Sequence, residues 1–339
     1  MLVSRRSFGA LAGGLCFTAA APLHAEEKGS FYSGKTVNLT IPNAPGGSFD
    51  LYGRLVARHL GRFIPGQPTI VPQNMPGAAG MISANWLYEV APKDGSAIGI
   101  SVPNIALAQV IGISGIKYDV RRLNWIGRIV SPTATLFVWH TAPVKTLADL
   151  QHKQLIIAST GSLSQAEITS KMMNDLAGTK FKIIHGYKGT GDAILALERG
   201  EVQAAVMPWT FMQKRHADWL KKGLVKPIAQ YTRHPIEGLN APSIFVLAKT
   251  PEQKGVFQLF FGPDEIGQAL YAPPGVPEDR VSLLRSAFNS MNKSEQFKAD
   301  ATKEGLEPTP ASWQSLQKAV ASTFLATPDQ ITVARKYFH

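Results

Sequence analysis

From residue 36 onward the chain alternates short apolar runs with stretches in which apolar residues recur every three or four positions. That is the pattern of strand-and-helix units built around mainly parallel sheets. Residues 36–41 read as a strand, 49–62 as a helix with Leu51, Leu55, Val56 and Leu60 on one face, and 69–72 as a second strand. A helix at 81–90 and a strand at 97–101 follow, each strand ending in a turn rich in Gly, Pro or Asn. The long apolar segment 123–140 reads as a crossing into a second domain. There the pattern predicts strands at 155–158, 181–184 and 202–206, with helices at 165–176 and 192–199 between them. A basic helix near 211–222 and a strand at 224–230 lead back. The tail from Pro251 is mostly helical, interrupted by an apolar strand at 269–272 and the stop Pro273-Pro274-Gly275. Two α/β lobes joined by two crossovers are the expected shape.

Composition narrows this picture. A length of 339 residues suits two domains, and 45% hydrophobic with 17% charged residues supplies a core and excludes a disordered chain. No uncharged apolar stretch of ~18 residues follows the N-terminus, so nothing downstream reads as membrane-spanning. The formal charge of +11 is scattered: past the N-terminus the adjacent basic pairs are Arg121-Arg122, Lys214-Arg215, Lys221-Lys222 and Arg335-Lys336. Spread charge argues against a nucleic-acid partner.

Residues 1–25 read as a signal peptide. Arg5 and Arg6 form its positive region, residues 9–21 are small and apolar, and Leu23-His24-Ala25 precedes Glu26-Glu27. Ser4-Arg5-Arg6-Ser7-Phe8 fits the start of a twin-arginine pattern, but Gly9-Ala10 departs from its usual ending, so the general secretory route stays open. The sole cysteine, Cys16, lies inside this segment after Leu15, where a lipidation signal needs a small residue. Cleavage after Ala25 removes Arg5 and Arg6, lowering the charge from +11 to +9, and leaves no thiol for a disulfide, metal site or nucleophile.

Three strand-to-helix loops carry candidate chemistry. In Pro42-Asn43-Ala44-Pro45-Gly46-Gly47-Ser48-Phe49-Asp50, the glycines permit a tight turn and the helix start offers unpaired N–H groups suited to an anion. A plain turn with Ser48 or Asp50 as helix cap is the competing reading. The loop is neither a nucleotide P-loop nor GxGxxG. Ser159-Thr160-Gly161-Ser162-Leu163-Ser164 offers hydroxyls and N–H groups that either clasp an anion from the opposite lobe or cap a helix. In Gly186-Tyr187-Lys188-Gly189-Thr190-Gly191-Asp192, Lys188 either contacts an anion, braces the loop or faces solvent. His185 reads as structural. Trp209, at a strand end, either lines a cleft or packs. No Gly-x-Ser-x-Gly elbow is present and the histidines lack metal-ligand spacing.

These loops, in this order behind a signal peptide, resemble the extracytoplasmic receptors of tripartite tricarboxylate transporters, also called Bug receptors. The matching residues are Pro45-Gly46-Gly47 with Asp50, Asn74-Met75-Pro76-Gly77-Ala78-Ala79-Gly80, and Ala91-Pro92-Lys93-Asp94-Gly95. Further along are Tyr187-Lys188-Gly189, Gly200-Glu201-Val202-Gln203 and Tyr271-Ala272-Pro273-Pro274-Gly275-Val276-Pro277. The resemblance implies a type II periplasmic-binding-protein fold with lobe 1 from 31–124 and 231–339, lobe 2 from 125–230, and a ligand cleft between them. It also implies a monomeric periplasmic receptor, without cofactor or metal, that passes a small organic acid to membrane transporter subunits. The carboxylate would be held by Asn43, Pro45, Gly46, Gly47 and Ser48 on one side and Thr160, Gly161, Ser162 and Ser164 on the other, with Lys188, Gly189, Thr190, Asp192 and Trp209 nearby. Asp50 would orient the first loop or its waters, since its charge repels a carboxylate. Two departures stand out: Asn43 replaces an aromatic frequent in the family, and Ile236-Glu237-Gly238-Leu239-Asn240-Ala241-Pro242 replaces the usual Leu-Pro-Asp-Val-Pro-Thr. A periplasmic enzyme on a related fold is the alternative, although no base–nucleophile pair, metal cluster or cofactor motif is visible. A receptor that signals to a sensor is another.

Overall fold

The structure, a computed structural model, describes residues 30–337 except 132, 160, 162, 163, 188, 189, 233, 234 and 237. The export segment and Cys16 lie outside the described residues. Strand β1 (Thr36–Ile41) leads through helix α1 (Ser48–Leu60) to β2 (Thr69–Asn74), then α2 (Met81–Glu89), β3 (Ala97–Ile100) and α3 (Ile105–Val110). The chain continues through β4 (Asn124–Val130), β5 (Ala134–Trp139), β6 (Leu155–Ala158), α4 (Gln165–Ala177), β7 (Phe181–Ile184), α5 (Thr190–Glu198) and β8 (Ala204–Pro208). Short helices α6 (Trp209–Arg215) and α7 (Ala217–Lys221) precede β9 (Val225–Gln230), α8 (Pro251–Phe261) and β10 (Gln268–Ala272). The last elements are α9 (Glu278–Lys293), α10 (Glu295–Lys303), β11 (Ala311–Ser312), α11 (Trp313–Thr323) and α12 (Pro328–Arg335).

Two sheets result, ordered β11-β4-β10-β3-β1-β2 and β7-β6-β8-β5-β9. Strands joined by helical crossovers run parallel, β1 with β2 and β3, and β6 with β7 and β8. Strands on the crossing side run antiparallel, β10 against β3 and β4, and β5 against β8 and β9. The sheets are therefore mixed rather than mainly parallel. The expected apolar stripe of α1 is real: Leu55, Val56 and Leu60 are fully buried against β1 and β2, while Leu51 sits half-buried at the edge.

The single apolar segment 123–140 is divided by residues 131–133 into β4, which pairs in the first sheet, and β5, which pairs in the second. The first sheet thus extends to Val130, not to 124. The return differs too. Phe257, Phe260 and Phe261 of α8 share one apolar cluster with the second sheet, joined by Ala334 and Tyr337 at the C-terminal end and by Leu107 and Ile111 around α3. Tyr231, Ile244, Leu247 and α8 therefore pack with the second sheet before β10 re-enters the first. Three phenylalanines on one helix bury too much apolar area to face water. The single basic helix expected near 211–222 is two, broken at His216, whose ring lies against Phe211 and Trp219.

Asp264, in the turn Gly262–Glu265 beyond α8, has Oδ2 buried with no hydrogen-bond partner among the described residues. Burial pushes its carboxyl up from 3.8 to about 8. A carboxyl that holds its proton more tightly when folded loses stability as pH rises from its unfolded toward its folded value, here from about 4 to about 8. Asp264→Asn is expected to leave the melting temperature near pH 4 almost unchanged and raise it by roughly several degrees at pH 8.5. Melting curves that shift equally at both pH values would refute this.

Candidate functional site

The β1–α1 loop turns on Gly46, at φ 89°, which a residue with a side chain adopts only under strain. Gly47 is the N-cap of α1 and has no side chain to cap it. The N–H groups of Ser48, Phe49 and Asp50 have no intrahelical acceptor, because they occupy the first turn. They make a site of positive potential, reinforced by the helix dipole. The Ser48 hydroxyl accepts from Gln268 Nε2 at 2.9 Å, which leaves its own hydrogen free to donate outward.

Asp50 is spent inside the loop. Its carboxylate, 4% exposed, accepts the Gly46 N–H at 2.9 Å, Arg54 Nε at 2.9 and 3.0 Å, and Asn74 Nδ2 at 3.0 Å. Burial alone would raise its pKa, but the Arg54 guanidinium, the Gly46 N–H and the Asn74 amide together hold it below the ordinary carboxylate value. Asn74 also donates to the Asn43 carbonyl at 2.8 Å and accepts from Arg54 Nη2 at 3.0 Å. One buried charge thereby fixes both ends of the turn. Asn43 and Pro45 are exposed at its rim.

On the second sheet, the loop after β6 is tied down by Ser159. Its buried hydroxyl accepts the Gly161 N–H at 3.1 Å and lies 3.2 Å from Ser164 Oγ. Ser164 is the N-cap of α4, accepting the Glu167 N–H at 3.2 Å, so its hydroxyl is engaged in capping. Buried Glu167 in that first turn pairs with Lys171 at 2.8 Å and His185 Nδ1 at 3.1 Å. Thr160, Ser162, Lys188 and Gly189 lie outside the described residues, as does the Thr190 side chain. Asp192 is exposed in the first turn of α5. Trp209 stacks on Phe137, rings 6.2 Å apart, and packs with the second sheet.

Two recesses open beside these loops. One, of about 150 Å³, lies between the N-terminal ends of α4 and α5 and the end of β8, with Ser164, Ala193 and Pro208 in its wall. The other, of about 20 Å³, sits between Ser48 and Tyr52 of α1 and Pro208, Phe211 and Arg215. Pro208 belongs to both, so the helix starts of the two sheets converge on one place. Beside it the two sides touch: Lys214 Nζ is 3.1 Å from Glu307, and Arg215 donates to the Glu304 carbonyl at 3.3 Å. Tyr52 and Phe211 are the aromatics among the described residues lining the smaller recess, which Trp209 does not line.

Sequence reasoning missed Arg54, Gln268 and the bracing role of Asn74. Arg54 stands one helical turn beyond Asp50, a spacing that pairs side chains. Gln268 is a polar residue heading an otherwise apolar strand, and that is its only signal. Among the described residues no group of His, Cys, Asp and Glu is placed to hold a metal, and no helix is long and apolar enough to cross a membrane.

Comparisons with known proteins agree on one family. A profile described as the tripartite tricarboxylate transporter family receptor matches residues 53–332. A UPF0065 protein from the gbd 5' region of Cupriavidus necator is 25% identical over 333 residues, covering 95% of each chain. The periplasmic binding protein BugD shares 20% identity at a TM-score of 0.68, covering 90% of this chain and 98% of its own. MatC of Rhodopseudomonas palustris, solved with bound malate, shares 20% identity at a TM-score of 0.66, covering 88% of this chain and 99% of its own. The structural likenesses show the two-lobed periplasmic-binding fold. With the profile spanning most of the sequence, the chain belongs to the tripartite tricarboxylate transporter receptor family.

Proposed function

We propose that this receptor captures a small carboxylate in the periplasm, between the β1–α1 loop of one lobe and the β6–α4 and β7–α5 loops of the other, and delivers it as a monomer to transporter subunits in the membrane. The observation that carries the reading is the uncapped start of α1, with unpaired N–H groups at Ser48, Phe49 and Asp50 while Asp50's own charge is fully engaged by Arg54, Asn74 and Gly46. Backbone dipoles and ordered water stabilise a carboxylate there without a cationic side chain. Malate in MatC is a carboxylate of the expected kind.

The ligand acts as the tie between lobes. It shifts the open–closed balance only through contacts added on closure, so groups of both lobes must touch it. The Lys214–Glu307 pair and the Arg215–Glu304 contact lie where the lobes meet, and being solvent-exposed they add about 1 kcal/mol at most. Closure is therefore governed by the ligand.

Native mass spectrometry of freshly purified protein, followed by calorimetry with mono-, di- and tricarboxylates, tests the reading. One small acid retained per chain and released unchanged is expected. A protein that retains none and binds no carboxylate refutes it, and chemical turnover of the bound acid would establish an enzyme instead.

A further inference from the structure

Gln268 is out of place in its strand. It heads β10, where Ala269, Leu270, Tyr271 and Ala272 follow, and it is 1% exposed. Its Nε2 donates to the Ser48 hydroxyl, 220 positions earlier in the chain, at 2.9 Å. Its Oε1 is buried with no hydrogen-bond partner among the described residues. Turning the amide over does not cure this, because the N–H groups are then left without an acceptor. A half-satisfied amide in a buried strand costs stability, and a methionine of similar length would fill the space without that cost. The fold alone does not account for the amide, whereas its contact with Ser48 does.

Ser48 is the first residue of α1, at the uncapped end, and it lines the small recess that reaches Pro208 and Phe211 on the side of the second sheet. A hydroxyl turns about its C–O bond and presents either its hydrogen or a lone pair. The Gln268 N–H is aimed at the oxygen, so it occupies a lone pair and excludes the rotamer that points the hydroxyl hydrogen back at β10. That hydrogen is left to the open side, where it adds a side-chain donor to the N–H groups of the first turn. Gln268 is itself held in place by its strand. Ser101 N donates to the Ala269 carbonyl at 2.8 Å, Ser101 Oγ accepts the Ala269 N–H at 3.2 Å, and the Gln268 backbone pairs with Val130 on the other edge.

We infer that Gln268 is a positioning residue for ligand binding: its amide orients the Ser48 hydroxyl so that the hydrogen is donated to the carboxylate of the ligand. This inference rests on the proposed carboxylate site at the start of α1 and adds to it a side chain that acts through Ser48. Orienting the donor before the ligand arrives removes a rotational cost that binding would otherwise carry.

Calorimetry with malate, adipate and benzoate on ligand-free protein selects the acid that binds most tightly, and that acid is the probe for every variant, beside a melting curve. Ser48→Ala is expected to weaken binding by about tenfold, the loss of one hydrogen bond to a charged group. Gln268→Met is expected to weaken it by about fivefold without lowering the melting temperature. In the Ser48→Ala background the same Gln268→Met change is expected to alter affinity by less than about twofold, because an amide that acts through the hydroxyl then has nothing to act on. Gln268→Glu, tested at pH 5 where a buried carboxyl keeps its proton, restores a donor to Ser48 and is expected to bind within about twofold of the natural protein. Full affinity in Ser48→Ala or in Gln268→Met would overturn the inference while leaving the backbone carboxylate site standing. Equal losses from Gln268→Met with and without the Ser48 hydroxyl would overturn it as well, as would a folded Gln268→Glu variant no tighter than Gln268→Met at pH 5. Binding of none of the three acids would remove the carboxylate site and the inference together.

Discussion

Gly47→Asp is expected to abolish carboxylate binding in a protein that folds as well as before. Gly47 has the extended backbone of an N-cap, φ −88° and ψ 177°, and a Cβ built on it meets nothing within 4 Å. Asp is among the preferred N-cap residues, and replacing Gly by it stabilises a helix by about a few tenths of a kcal/mol. The same carboxylate accepts the first-turn N–H groups that the ligand needs and adds a like charge beside it. At about 5 Å and an effective dielectric of about 20 the repulsion is about 3 kcal/mol, a loss of about 100-fold in affinity. Gly47→Asn separates the two effects, since it caps without charge and should weaken binding by about tenfold only. Calorimetry beside a melting curve gives both readings. Retained affinity in the Asp variant would remove the start of α1 from the binding site.

Asp50→Ala is expected to weaken both stability and binding. The substitution leaves the Gly46 N–H, the Asn74 amide and the Arg54 guanidinium without their shared acceptor in a part-buried setting. Hydrogen bonds to a charged group contribute about 1.5–3 kcal/mol each, but Arg54 is 43% exposed and recovers water, so a total loss of about 2–3 kcal/mol is expected. Asp50 faces the loop, so its effect on affinity comes from positioning. With the brace gone, Gly46 is no longer held and Asn74, which donates to the Asn43 carbonyl, loses one of its partners, so binding should fall by about tenfold or more. Asp50→Asn keeps one acceptor oxygen and should recover part of both losses. Because the carboxyl titrates below its ordinary 3.8, the brace is intact at neutral pH and is lost only as pH falls below that value. Full affinity in the Ala variant would show that the turn holds itself.

Local pattern carried most of the elements. Strand β1 begins and ends where its alternating residues do, and α4 follows directly from Ser164 as cap. What pattern could not supply was the partner of each strand. The segment 123–140 is continuously apolar because β4 and β5 are each buried, yet burial is equally satisfied by one sheet or two, and the division at 131–133 depends on β10 and β8 far along the chain. Helix α8 is similar: three phenylalanines announce a buried face without saying whose. At the site, the Gly46-Gly47 turn was visible because glycine and a helix start are local features. Trp209 was a misleading one, since an aromatic at a strand end looks the same whether it faces a cleft or stacks on Phe137. The bracing of Asp50 by Asn74, 24 positions away, needed the β1–β2 pairing that brings them together.

The apolar cluster that joins the second sheet to α8, Ala334, Tyr337, Leu107 and Ile111 makes the lobes interdependent in a further way. A lobe cut free at residues 131–133 would take with it only part of that cluster and expose the rest, including Phe257 and Phe260. The chain also enters the second sheet at β5, leaves it for the first at β10, and returns to it at α12. Either half expressed alone is therefore expected to be less stable than the whole chain, because it would leave part of its core exposed to water.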